Sequence, residues 1–130
     1  MNAINQNIAA NENTSNYVVV KMLMENSLKF MQEAACAFDG GSGENWCASI
    51  VKAHSYILGL RASLDMELGG SLADNLDGLY GYMLDRLNIA FENVDVEALA
   101  EVYELMEEVK LGWDGIEDVI EDPNSAVACA

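Results

Sequence analysis

The stretch SLDMELGGSLADNL, residues 63–76, places two adjacent glycines between two segments with strongly helical sequence patterns. Glycine destabilises a helix interior by about 1 kcal/mol relative to alanine, so we expect Gly69 and Gly70 to lie outside regular structure. Ser71 followed by Asp74 gives the S-x-x-D pattern of a capped helix start. Because so short a link joins two long helices, the stretch predicts antiparallel neighbours in an up-and-down bundle.

The composition agrees with a single helical domain. The chain has 130 residues, of which 52% are hydrophobic, enough for one sizeable core. The single proline, Pro123, lies near the C-terminus, so no proline interrupts a helix before it. Few helix breakers predict few, long helices.

Four helical segments follow an asparagine-rich N-terminal stretch. We predict a first helix from an N-cap at Ser15 to about Phe38, a second from about Glu44 to Leu64, a third from about Ser71 to Phe91, and a fourth from a cap at Asp95 to about Ile120. The predicted fold is therefore all-α, an antiparallel up-and-down four-helix bundle over residues 15–120. Residues 1–14 are expected to be a loosely ordered N-terminal segment, and residues 121–130 a flexible tail.

Apolar residues spaced by three and four predict the buried faces of three helices. The second helix has Trp46, Ile50, Ala53, Ile57, Leu60 and Leu64, and the fourth has Leu99, Val102, Met106, Val109, Trp113 and Ile116. The third has Leu72, Leu76, Leu79, Met83, Leu87 and Ala90, with Tyr80, Leu84 and Phe91 displaced by one position.

The first helix carries apolar residues over an unusually wide face. One stripe is Val19, Leu23, Phe30, Ala34 and Ala37, and a second, about 100° away, is Val20, Met24, Leu28, Met31 and Ala35. Either two neighbouring helices cover both stripes, or part of the face, with Met24 and Met31, belongs to a groove for another apolar helix. Methionine suits such a groove because its flexible side chain repacks around varied partners.

The charge balance bears on partners and location. With 22 acidic and 6 basic side chains, the net charge is −16. Such a surface repels phosphate and anionic lipid, which argues against nucleic acid, and it favours basic or amphipathic partners; the charge also fits a solvated face that only maintains solubility. No stretch reaches the roughly 18 apolar residues of a membrane span, and no signal-peptide pattern opens the chain. We expect a cytoplasmic protein without membrane insertion.

Catalytic and metal-binding patterns are missing from the sequence. Cys36, Cys47 and Cys129 show no CxxC spacing and are expected to be free thiols. The single histidine, His54, has Val51 three residues before it, so the Glu-x-x-His motif of a di-iron bundle is absent. Cys47 and His54 lie two helical turns apart, too far for a catalytic dyad. We expect no catalytic residue, no cofactor and no metal, and hence no enzyme.

The centre of the chain resembles a known family. The segment IVKAHSYILGLRASLDMELGGSLADNLDGLYGYMLDRLNIAF, residues 50–91, is similar to the signature of the flagellin-specific export chaperone family FliS. The matching motifs are Lys52-Ala53, Ser63-Leu64-Asp65, Gly69-Gly70, Ala73 with Asn75-Leu76, Leu79-Tyr80, Tyr82-Met83 and Arg86-Leu87. MLMENSLKFM at residues 22–31 resembles the first-helix pattern of the family, and Trp113 matches a late tryptophan.

The resemblance implies a four-helix bundle in the bacterial cytoplasm that has no catalytic activity. Members of this family bind the C-terminal, helix-forming segment of flagellin, prevent its premature polymerisation and deliver it to the flagellar type III export apparatus. In the family the N-terminal segment can cap the client groove. Here residues 1–14 lack the usual tyrosines, Phe91 replaces an asparagine and Met24 replaces a tyrosine. The cap role and the client preference are therefore left open.

We predict flagellin as the partner, with export gate components or flagellar regulators as further candidates. The residues expected to line the flagellin-binding groove are Val20, Met24, Met31, Tyr56, Tyr80, Leu84 and Tyr103. The alternative is a structural or regulatory bundle that does not bind flagellin and covers its wide apolar faces by forming a homodimer.

Overall fold

Four helices make up the part of the chain that the computed structural model describes, residues 12–65 and 69–121, with side chains described over 17–65 and 69–115. The helices are α1 Glu12–Asp39, α2 Gly43–Ala62, α3 Gly70–Asn93 and α4 Val96–Glu121. These two ranges contain no strand. The all-α prediction is confirmed.

Each helix packs against two neighbours, in the cyclic order α1, α2, α3, α4 and back to α1, and the backbones of the diagonal pairs lie farther apart over the described residues. Side-chain pairs show the relative direction of α1 and α4. Tyr17 contacts Trp113, and the Gln32 side chain hydrogen-bonds Tyr103. Residue numbers therefore increase along α1 in the direction in which they decrease along α4, so the two helices are antiparallel. The up-and-down bundle predicted from the short turns is therefore confirmed.

Two of the predicted helix caps are wrong. Ser15 lies inside α1, which begins at Glu12, so residues 12–14 of the predicted flexible segment belong to that helix. Residues 1–11 and 122–130 lie outside the described part of the chain, as does most of each predicted flexible end. Ser71 also lies inside a helix, because α3 begins at Gly70 with Gly69 in the cap position and no side-chain hydrogen bond to the cap.

The two glycines of the central turn are needed for different reasons. Gly70 has a φ of +55°, in the left-handed region that side chains disfavour. Gly69 has an ordinary φ, but a Cβ added there would lie 2.5 Å from the Cβ of Ala73 and 2.7 Å from the carbonyl oxygen of Asp65. A side chain at either position would therefore strain the start of α3.

The core confirms the predicted stripes of α2 and α4 over their described length. Its fully buried large side chains include Trp46, Ile50, Ile57, Leu60, Leu99, Val102 and Met106. In α3, Met83, Leu87 and Ala90 of the predicted stripe are buried together with the neighbouring Tyr80 and Leu84, whereas Leu72 and Phe91 are exposed. The buried face of α3 is wide because α2 and α4 cover it from two sides.

An aromatic clasp joins the beginning of α1 to the end of α4. The Tyr17 and Trp113 rings stack with centroids 4.8 Å apart and planes at 11°. The Tyr17 hydroxyl donates to the Trp113 carbonyl over 2.7 Å, and the Trp113 indole N–H donates back to the Tyr17 carbonyl over 3.4 Å. Two helix ends that lie 96 residues apart in sequence are thus linked by stacking and by reciprocal hydrogen bonds.

The predicted cap at Asp95 is confirmed and supports a stability prediction. One carboxylate oxygen of Asp95 accepts from the amides of Glu97, at 3.1 Å, and Ala98, at 3.2 Å. We expect Asp95→Ala to lower the free energy of unfolding by about 1 kcal/mol, since two amides of the first turn lose their acceptor. Urea unfolding followed by circular dichroism measures this loss. Glu108→Ala, which removes an exposed carboxylate from the middle of α4, is the charge-matched control and should change stability by less than about 0.5 kcal/mol.

Candidate helix-binding groove

A groove of about 400 Å³ runs between the second half of α1 and the first half of α4. Met31, Gln32 and Ala35 line it from α1, and Val96, Leu99, Ala100, Tyr103, Glu104 and Glu107 line it from α4. The seam between α1 and α4 is thus partly open, with mostly apolar walls.

Residue size explains why this seam is open. Met31 and Leu99 are buried and form the floor of the groove. Above them, Ala35 on α1 and Ala100 on α4 carry only a methyl group each. Because neither alanine reaches far beyond its own backbone, the two helices leave space that the side chains of another segment can enter.

One hydrogen bond links the two walls of the groove. The Gln32 side-chain amide donates to the Tyr103 hydroxyl over 2.7 Å. This bond gives the tyrosine oxygen a partner while the residue still lines an apolar space, an arrangement typical of tyrosine at binding surfaces. It holds the Tyr103 side chain in position at the wall of the groove.

The rim of the groove is acidic. Glu104 and Glu107 line it and are exposed, and none of the described lining residues is basic. The nearby cation Lys110 is engaged, because its ammonium group lies 2.8 Å from an Asp114 carboxylate oxygen and 4.0 Å from one of Glu25. Apolar walls beneath carboxylates suit an amphipathic helix whose polar side is basic.

The structure does not bring the seven predicted groove residues together. Met31 and Tyr103 line the α1–α4 groove. Met24, Tyr80 and Leu84 are buried in the core, and Val20 packs against it. Tyr56 lies at the α1–α2 seam, where its ring stacks on Phe30 with centroids 5.6 Å apart. Whether any of the seven contacts flagellin stays a prediction.

Burial changes the interpretation of three of these residues. Met24 and Met31 are each 1% exposed, so the bundle itself covers the methionines of the wide α1 face. Burial also raises the pKa of Tyr80 to about 12, because the phenolate form would lose its solvation. Met24 and Tyr80 therefore act as packing residues in this structure, and only Met31 also borders an opening.

Several groove residues are not predicted by the sequence pattern. Ala35 and Leu99 fall in the predicted core stripes, and no motif singles out Gln32 or Ala100. The sequence feature that could have indicated a groove is the small size of Ala35 within a stripe of large apolar residues. It does not reveal that α4 places Ala100 opposite, since the two alanines lie on helices far apart in sequence.

The chemistry of the remaining polar groups is modest. Within the described ranges, no three His, Cys, Asp or Glu side chains come together in a way that could hold a metal ion. Burial lowers the pKa of His54. Cys36 and Cys47 are free thiols, while Cys129 lies outside the described residues. None of the described helices is long and apolar enough to cross a membrane.

The fold and the groove define a helical bundle with a surface suited to another helix. A family model described as flagellar protein FliS matches residues 1–119, and the chain belongs to the FliS family. A flagellar secretion chaperone FliSB of Pseudomonas aeruginosa is 43% identical over 98 residues, which cover 75% of this chain and 78% of the relative. A flagellar secretion chaperone FliS of Vibrio cholerae is 33% identical over 102 residues, which cover 78% of this chain and 75% of the relative.

Proposed function

We propose that this protein is a cytosolic export chaperone that binds the C-terminal helical segment of flagellin. It prevents premature polymerisation of flagellin and delivers it to the flagellar type III secretion apparatus. The observation that carries the proposal is the open apolar groove between α1 and α4, in a member of a family whose relatives are named flagellar secretion chaperones. The relatives are named for secretion and not for a reaction, which supports a binding role without catalysis.

The groove suggests how binding prevents assembly. An amphipathic client helix places its apolar side chains over Met31 and Leu99, in the space left by the two alanines. Burial of apolar surface supplies the affinity, at roughly 25 cal/mol for each Å² removed from water. While the chaperone covers that side of the helix, the same side is not available to another flagellin molecule.

Electrostatics contributes to the choice of partner. The net charge of −16 and the carboxylates of Glu104 and Glu107 repel acidic segments and attract basic ones. Exposed charges at the rim of a binding site act mainly on the association rate, because they attract the partner before contact. Salt screens this long-range attraction. Added salt should therefore slow client binding more than it speeds dissociation.

Calorimetric titration with the C-terminal segment of flagellin from the same organism tests the proposal. We expect saturable binding with a negative heat-capacity change, the signature of apolar surface buried on binding. Circular dichroism must first show that the chaperone is folded, and sedimentation that the peptide is soluble. With both established, absence of binding heat at several temperatures would contradict the proposal.

The alternative is a self-associating bundle with a structural or regulatory role. Exposed apolar residues of α1 and α4, including Val18, Met22 and Leu111, favour it. Light scattering of the client-free protein separates the two functions. A tight dimer that persists on addition of flagellin supports the alternative, and a monomer that forms a complex with flagellin supports the chaperone.

A further inference from the structure

Three unusual features meet at one end of the bundle, where the α1–α2 and α3–α4 connections lie side by side. They surround a recess of about 220 Å³, whose lining includes Phe38, Ser42, Gly43, Trp46 and Val94. This bundle-end recess is separate from the α1–α4 groove and shares no lining residue with it. Each feature is unfavourable in the isolated bundle, and a bound partner would compensate for each.

The first feature is the backbone of Val94. This residue ends α3 with φ 51° and ψ 50°, and it is the only non-glycine residue with positive φ among those described. Glycine or asparagine normally occupies such a position, because a β-branched side chain there collides with its own backbone. The Val94 side chain is 53% exposed, so burial within the bundle offsets little of the cost.

The second feature is the indole N–H of Trp46. The Trp46 side chain is buried, and its Nε1 has no hydrogen-bond acceptor within the described structure. Buried polar groups are nearly always paired, because an unpaired donor has given up its bonds to water without replacement. An acceptor brought in by a partner would restore the missing hydrogen bond.

The third feature is the Phe38 ring, which covers the indole. The two ring centroids lie 5.5 Å apart with planes at 53°, and Phe38 is 40% exposed although it is large and apolar. Phe38 lies near the end of α1, two residues before Gly40, where the chain leaves the helix. Trp46 itself also lines the recess, so the indole borders the space that a partner would enter.

The surroundings restrict the kind of acceptor that can enter. The first turn of α2 contributes the positive end of the helix dipole, and Ser42 already occupies the Asn45 amide. Three residues that line the recess are each followed in the sequence by an acidic residue, namely Asp39, Glu44 and Asp95. Repulsion from these groups disfavours a charged carboxylate, so an uncharged backbone carbonyl next to an apolar side chain suits the recess best.

We propose that the bundle-end recess is a second contact site for the client bound in the α1–α4 groove, an inference that rests on the proposed function. An apolar client side chain enters between Phe38 and Val94, and a client backbone carbonyl accepts a hydrogen bond from the Trp46 indole. Position along the chain supports a shared occupant. Val94 lines the recess and Val96 lines the groove, so a single residue separates the two openings along the α3–α4 connection.

Val94→Gly separates a binding role from a structural one. Glycine removes the left-handed strain, so we expect the melting temperature to rise by about 3–5 °C. It also removes the side chain that meets the client, so we expect the affinity for the flagellin segment to fall by about tenfold. Val94→Asn should behave similarly, because asparagine tolerates this backbone conformation but offers no apolar contact. Val51→Ala, at an exposed valine of α2, is the control and should retain wild-type affinity.

An NMR measurement on the indole groups reports the hydrogen bond directly. Trp46 and Trp113 are the two tryptophans, so ¹⁵N-labelled indoles give two N–H signals, which Trp113→Phe assigns. We expect the Trp46 signal to move downfield when the client segment is added. If the wild-type protein binds the client while Val94→Gly binds equally well and the Trp46 signal stays in place, the second site is refuted and the proposed function stands. If the wild-type protein does not bind the client, the proposed function fails and the second site falls with it.

Discussion

Ala100→Trp is expected to weaken binding of the flagellin segment by roughly 30-fold, or about 2 kcal/mol, the scale of an interface hot spot. Ala100 is exposed on α4 and lines the groove, so an indole at this position fills space that the client needs. The bundle should still fold, because the new side chain points away from the core and tryptophan is tolerated in a helix. Calorimetric titration gives the affinity, and thermal unfolding shows whether stability is retained.

Ala48→Trp is the matched control for this substitution. Ala48 is also an exposed alanine within a helix, but it lines a different opening, between α1 and α2, and not the α1–α4 groove. We expect its affinity for the client to stay within about twofold of the wild-type value. If both variants bind as the wild-type protein does, the α1–α4 groove is not the client site. If both lose affinity equally, the effect does not arise from filling this groove.

Leu87→Ala is expected to lower the free energy of unfolding by about 2–5 kcal/mol, the range for removing a buried leucine side chain. Leu87 is 0% exposed and packs in the core of the bundle. The destabilisation has two parts, the transfer free energy of the deleted atoms and the free-energy cost of the cavity that remains. Because domains of this size are stable by only about 5–15 kcal/mol, the variant should unfold at clearly lower urea concentration.

Leu111→Ala makes the same chemical change where no cavity can form. Leu111 is 75% exposed on α4, so we expect its removal to change stability by less than about 0.5 kcal/mol. Equilibrium urea unfolding of both variants, followed by circular dichroism, gives the two values on one scale. Similar losses of stability for Leu87→Ala and Leu111→Ala would contradict the assignment of the core.

The sequence was sufficient for the helices because their signals are local. Helical spacing of apolar residues, glycines at the turns and the carboxylate at Asp95 all act within a few residues, so they predict element type, order and most buried faces. Caps were harder to predict. Ser15 and Ser71 have capping chemistry, but the helices begin before them, at Glu12 and Gly70, since propagation of a helix depends on what the helix packs against.

What a helix face contacts is decided when the helices pack together. Periodicity places Met24 and Met31 on a wide apolar face, but it does not distinguish a face covered by two neighbours from an open groove. The structure buries both methionines and opens the seam where Ala35 and Ala100 meet from different helices. The left-handed Val94 is equally invisible in the sequence, because the connection between α3 and α4 sets its backbone conformation. Local patterns thus specify a four-helix bundle of the FliS type, whereas the position of its openings follows from tertiary packing, because an opening depends on pairs of residues that no local pattern connects.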